Sequence, residues 1–326
     1  MRRREFSALL ASFAVWPFAA GAEQPTTVPV IGFLHVGSAV ALGHLTGALR
    51  QGLEDTGFEE KDVSFAFRWA EGQFDRLPDL ATDLVRNRVA VIVTGGGEAP
   101  ALAAKAATGM IPIVFNVGGD PVEMGLVSSV SRPGANITGV NILTTELAAK
   151  RLALLHDLLP PGTVFAHLVN PNFPPSEANV REVQEAGRLL GRKIVLMRAR
   201  NEQEIDSAFD EISKIPAGAV LIGADPYFNS RRNQIIALAA RYSIPAGYEV
   251  REYTLAGGLI SYGTSLTESY RQIGIYVGRI LKGEKPGDLP VMQLTKLDLI
   301  INLKTAASLG LTIPPSLLAR ADEVIE

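Results

Sequence analysis

The sequence predicts an α/β fold of two lobes, each a parallel sheet covered by helices, joined by a hinge of three chain segments. Three observations predict it. Short apolar runs of five to eight residues alternate with amphipathic stretches of ten to fifteen, the pattern of a parallel sheet covered on both faces. The alternation runs on for too long to fit one ordinary open sheet. The turn Gly118-Gly119-Asp120-Pro121 recurs as Gly223-Ala224-Asp225-Pro226, each time after an apolar run and before a helix-like stretch.

In chain order, 28–36 reads as a buried strand and 41–55 as a helix ended by Gly57. Strands follow at 63–69, 89–94, 111–117 and 136–142, with helices at 73–87, 99–107 and 122–130. The pattern then restarts. Helices at 146–159, 177–190, 202–212 and 230–242 alternate with strands at 163–169, 193–198, 219–222 and 244–247, and 258–262 adds another strand. The stretch 266–281 is one amphipathic helix with Tyr270, Ile273, Val277 and Leu281 at helical spacing, and apolar 297–303 follows a Gly/Pro-rich loop. Crossings between lobes are expected near 139–144, 263–265 and Lys296. That divides the chain into 1–22, a first lobe of 23–142 plus 264–295, and a second lobe of 143–263 plus 296–326.

Arg2 to Arg4, the apolar run 6–20 and the small-residue end Ala20-Gly21-Ala22 predict a cleaved signal peptide. The order Arg3-Arg4-Glu5-Phe6 leaves both the twin-arginine and the general secretory routes open. The chain has no cysteine, which excludes disulfides, thiolate metal sites, a cysteine nucleophile and a lipid anchor on cysteine. A mature protein free in the periplasm, not a lipoprotein, is therefore expected. Loss of 1–22 removes three arginines and Glu5 and takes the net charge from -3 to -5. A mildly acidic chain without a basic run is a poor nucleic-acid or anionic-membrane binder.

Open α/β sheets bind ligands at the carboxyl ends of their strands, so the candidate residues are those in the strand-end loops. Thr94-Gly95-Gly96-Gly97-Glu98 joins a strand to a helix, and its glycines let backbone amides approach an anion such as a carboxylate. It lacks the GKS/T of a P-loop and the GxGxxG of a dinucleotide site. A structural tight turn explains the same residues. Ser38, Asn116 and Asp120 fall on the same rim, and for Asp120 simple capping of backbone amides is the competing role. Asn170, Asp225, Tyr227, Glu249 and Tyr262 form the second rim, where acids would meet a ligand ammonium and tyrosines its apolar part. Phe173 and Phe228 would serve either as an aromatic wall or as core. His35, His44, His156 and His167 show no metal or catalytic spacing, no G-x-S-x-G elbow exists, and no metal or cofactor is called for.

The segments 114–140 (VFNVGGDPVEMGLVSSVSRPGANITGV), 256–263 (AGGLISYG), 270–285 (YRQIGIYVGRILKGEK) and 301–326 resemble those of a family of ABC-transporter substrate-binding proteins. The resemblance spans nearly the whole mature chain. It implies a type I periplasmic binding protein, two Rossmann-like lobes that shut over a small molecule. It further implies an ABC permease as partner, an amino acid, aromatic in some relatives, as ligand, and binding without chemistry. A monomer is expected. A periplasmic sensor for a membrane receptor and an exported α/β enzyme are the competing readings. The export signal and the missing helix-turn-helix exclude a DNA-binding regulator.

Overall fold

The computed structural model describes residues 28–142, 147–215 and 218–326, without the side chains of Val40 and Ala41. The predicted signal peptide lies outside the described residues.

The first stretch runs β1 (Val30–His35), α1 (Ala39–Glu54), β2 (Ser64–Trp69), α2 (Leu77–Arg86), β3 (Val91–Gly95), α3 (Glu98–Ala107), β4 (Ile113–Val117) and β5 (Ile137–Asn141). The second runs α4 (Ala148–Asp157), β6 (Val164–Val169), α5 (Ser176–Leu189), β7 (Ile194–Arg198), α6 (Glu202–Ser213) and β8 (Gly218–Ile222). It continues through α7 (Pro226–Ser230), α8 (Arg232–Arg241), β9 (Ala246–Tyr248), α9 (Arg251–Leu255) and β10 (Ile260–Gly263). The chain then forms α10 (Leu266–Leu281), β11 (Met292–Gln293), β12 (Asp298–Asn302), α11 (Leu303–Ser308), α12 (Pro315–Leu318) and β13 (Glu323–Ile325).

The strands form two sheets, in the orders 11-5-4-3-1-2 and 13-12-10-9-8-6-7. Every pairing is parallel except that of β10 with β12. Both sheets contain the same doubly wound unit, 2-1-3-4-5 and 7-6-8-9-10, so one supersecondary plan is used twice. Burial on both faces explains why strands such as β3 and β4 read as unbroken apolar runs.

The chain changes sheet after β5, after β10 and after β11, so three segments connect the lobes. They are tied to one another. Thr264 Oγ1 donates to the Ile142 carbonyl at 2.7 Å, and the Leu294 amide donates to the Asn141 carbonyl at 2.9 Å. Helix α10 returns to the first lobe and packs on α1 where Gly52 meets Gly274; a Cβ on either would collide with the other helix's backbone. Those two glycines bring the helix axes closer than ordinary side chains allow.

The predicted helix at 122–130 does not form, and 121–130 is a series of turns. Gly125 adopts φ +67°, and the Ser128 hydroxyl bonds the Arg132 and Pro133 carbonyls, each at 3.0 Å. Serine hydroxyls that bond nearby backbone compete with a helical ladder, and a left-handed glycine ends it.

Candidate functional site

The same strand order in both lobes creates two topological switch points, between β1 and β3 and between β6 and β8. At a switch point neighbouring crossovers leave on opposite faces of the sheet, so a crevice opens at the strands' carboxyl ends. The two crevices face each other across a shared cavity. His35, Gly96, Gly97, Asn116 and Gly118 line it from the first lobe. Phe173, Asp225, Asn229 and Glu249 line it from the second, while Leu42, Leu45, Ile142, Leu266 and Tyr270 add apolar and aromatic wall.

The lobes are shut over this cavity. Tyr227 of the second lobe lies against Gly72 of the first, where an added Cβ would come within 2.8 Å of the ring. Gly97 meets Phe173 in the same way, at 3.0 Å. One apolar cluster accordingly includes β1 and β3 residues of the first lobe and β6 and β8 residues of the second.

The second-lobe wall is acidic and fixed. Asp225 caps α7, accepting from the Phe228 amide at 2.8 Å and from Asn170 Nδ2 at 3.2 Å. Burial, reinforced by the charge of Glu249, pushes its pKa from the usual 3.8 up to about 7, against the pull of those hydrogen bonds. Burial also raises Glu249, opposed chiefly by the buried Arg151 guanidinium and by Asn229. Asn229 Nδ2 donates to Glu249 at 2.6 Å, while Asn229 Oδ1 is buried with no hydrogen-bond partner. Two carboxylates and a spare carbonyl thus face a cavity that, among the described residues, no lysine or arginine lines.

The first-lobe wall is neutral and rich in donors. His35 Nδ1 accepts from the Gly37 amide at 2.8 Å, which leaves the ring proton on Nε2. Burial lowers the imidazole pKa to about 3, so it stays uncharged. Gly96 and Gly97 turn with φ of +83° and +90°, a left-handed path open to glycine at little cost. Asn116 bonds Ser269 on α10, joining the rim to the helix behind it.

Of the residues predicted from sequence, Gly96, Asn116, Asp225 and Glu249 line the cavity together. Asn170 stands behind the wall and positions Asp225. Ser38 is half-buried before α1 and makes no side-chain cap. Thr94 is fully buried in β3, its hydroxyl unpartnered. Glu98 accepts from the Gly119 amide at 3.0 Å and so braces the rim, and Asp120 is exposed, capping the amides of Val122 and Glu123 at 2.7 and 3.3 Å. Both border an adjoining groove instead. Tyr227 belongs to the contact between lobes. Tyr262 packs into the second lobe's own core, where its carbonyl accepts from Arg151 Nε at 2.8 Å.

The sequence-based set lacked Asn229 and Tyr270. Asn229 lies one helical turn after Asp225, a spacing that places both on one face of α7. Tyr270 lies one turn after Leu266 on α10, but its periodicity signals burial without saying which cavity it faces.

Comparison with known proteins supplies the family and relatives of the same fold. A structure described as an ABC domain in complex with L-Trp, from Streptococcus pneumonia, is 25% identical with a TM-score of 0.78, covering 92% of this chain and 100% of that one. A conserved domain protein from Vibrio cholerae is 27% identical with a TM-score of 0.81, covering 91% and 100%. A Clostridioides difficile protein named tyrosine-binding protein is 24% identical over 267 residues, 79% of this chain and 74% of that one. The ABC transporter substrate binding protein family matches residues 30–325, and the chain belongs to that family.

Proposed function

We propose that the protein is the receptor of an ABC import system, working in the periplasm, and that it closes over an amino acid with an aromatic side chain. The observation that carries this reading is the polarity of the cavity. Asp225, Glu249 and the free Asn229 Oδ1 offer acceptors for the three protons of an ammonium group. The His35 Nε2 proton and the Gly96–Gly97 turn face them from the other lobe and suit the carboxylate. Leu42, Leu45, Phe173 and Tyr270 leave apolar wall for the side chain. The relatives named for tyrosine and crystallised with L-tryptophan support the aromatic assignment.

Binding without turnover fits the same wall. Among the described residues the cavity lining contains no serine, threonine or lysine, and its histidine has one nitrogen occupied and is held neutral. Export is supported by Arg2 to Arg4 and the apolar run after them. The three connecting segments suit hinge closure, after which the closed form docks on a permease.

Native mass spectrometry of the purified protein, followed by a thermal-shift screen against amino acids, tests the assignment. A ligand that binds only the folded form raises the melting temperature with the logarithm of its excess over Kd. Aromatic amino acids are expected to give the largest shifts. A response confined to sugars or polyamines would refute the amino-acid assignment.

A further inference from the structure

Beside the cavity, along the same cleft, runs a second, open groove. Glu98, Asp120 and Glu123 border it on the first lobe, Asn179 and Glu182 on the second. Among the described residues no lysine or arginine lines it. Carboxylates facing one another across a closing cleft repel, so on their own they oppose the shut form.

Two buried acceptors on opposite walls are left over. Glu98 and Asn179 are each 3% exposed, and Glu98 Oε2 and Asn179 Oδ1 have no hydrogen-bond partner. Some of the other oxygens are taken, and the amides of Glu98 itself, Gly119 and Gly118 all act on the Glu98 carboxylate. Glu98 Oε1 accepts from the Gly119 amide at 3.0 Å, and Glu182 Oε1 accepts from the Ala149 amide at 3.1 Å. A buried acceptor without a donor is costly, and an acidic setting favours a donor that is also positive. Among the described residues no three acidic or imidazole groups converge at metal-ligand spacing. Acceptors spread over both walls suit donors spread along an organic cation better than one small ion.

We propose that this groove is a second binding site, for a small organic cation of the diamine class, which bridges Glu98 and Asn179 across the cleft. The two walls sit on different lobes, so the site is complete only when the lobes are shut. The cation and the solute in the main cavity then favour the same form, and each must raise the affinity of the other. Only this coupling rests on the receptor reading.

The test is calorimetric titration of the full protein with putrescine at constant ionic strength, first without any amino acid and then with saturating L-tyrosine. Saturable binding is expected in the wild type. It should be lost in Asn179→Leu, strengthened in Asn179→Asp and weakened several-fold in Glu123→Gln, which alters only an exposed wall residue. L-Tyrosine affinity measured without putrescine should be the same in all four proteins, and putrescine affinity should rise when L-tyrosine is bound. Unsaturable heats, heats matched by sodium chloride, tighter binding of magnesium, or equal putrescine affinity in wild type and variants would each overturn the site. Failure of L-tyrosine to bind would count against the amino-acid assignment, and the first titration would still decide the groove.

Discussion

Asp225 and Glu249 follow adjacent strands, β8 and β9, and present their carboxylates to one cavity, where the Glu249 charge adds to the burial that raises Asp225. In return the Asp225 backbone amide helps to hold Glu249 ionised. Asp225 therefore exchanges its proton close to neutrality, and under the proposed function an incoming ammonium takes that proton's place.

The sign of the resulting pH dependence is fixed. The folded, empty protein binds the Asp225 proton more tightly than the unfolded chain does. That stabilisation is complete below the ordinary carboxylate range and is lost as the pH rises through about 7. Affinity for an amino acid runs the other way, rising over the same interval as the carboxylate ionises. His35 stays neutral throughout, with its pKa lowered to about 3. Thermal melts and titrations across this range should show both trends in the wild type and weaker ones in Asp225→Asn, where the raised Glu249 still contributes. Identical pH profiles for the two proteins would contradict the assignment.

Gly72 tests the closed form. An alanine there pays for its left-handed φ of +79° in either form, but its Cβ meets the Tyr227 ring only when the lobes are shut. Gly72→Ala should therefore weaken ligand binding by about 1–3 kcal/mol through overpacking. Tyr227→Leu in the same protein should restore much of the loss. Small-angle scattering should show Gly72→Ala remaining extended at ligand concentrations that compact the wild type. Unchanged affinity would mean that this contact is not part of the bound state.

Arg151 tests the acidic wall from behind. Arg151 is 3% exposed, and its guanidinium donates to the Tyr262 carbonyl and opposes the burial that raises Glu249. Arg151→Met should cost about 3–5 kcal/mol in denaturant unfolding, because Glu249 would be left buried without its counter-charge. Adding Glu249→Gln should return a large part of that loss. A single-variant cost well below about 1 kcal/mol would show that the charge of Arg151 does not bear on Glu249.

Much of this architecture was legible because each level of the sequence agreed with the next. The apolar runs of β3 and β4 are continuous since both sheet faces are covered, whereas the echoed Asp-Pro turns follow non-equivalent strands, β4 in one sheet and β8, the counterpart of β3, in the other. Asp225 and Glu249 stood out because an acid just past a buried strand needs a reason to be there. What stayed hidden depends on direction. Thr94 and Tyr262 occupy strand ends as expected, but their side chains point into the lobes. Tyr227 lies only two residues after Asp225 in sequence, and those two steps into α7 turn it from the cavity to Gly72. The 122–130 stretch has a helix-like apolar pattern, and only the combined effect of Gly125, Ser128 and Pro133 shows why it stays in turns.

The most direct measurement compares, by calorimetry, an aromatic amino acid with its deaminated counterpart, which keeps ring and carboxylate but has no ammonium group. If the ammonium is held by Asp225, Glu249 and Asn229, the deaminated compound should bind more weakly by about 2–5 kcal/mol, the cost of leaving a buried charged partner unpaired. Asp225→Asn should bind the intact amino acid more weakly and narrow that difference. Equal affinity of the wild type for both compounds would contradict the account.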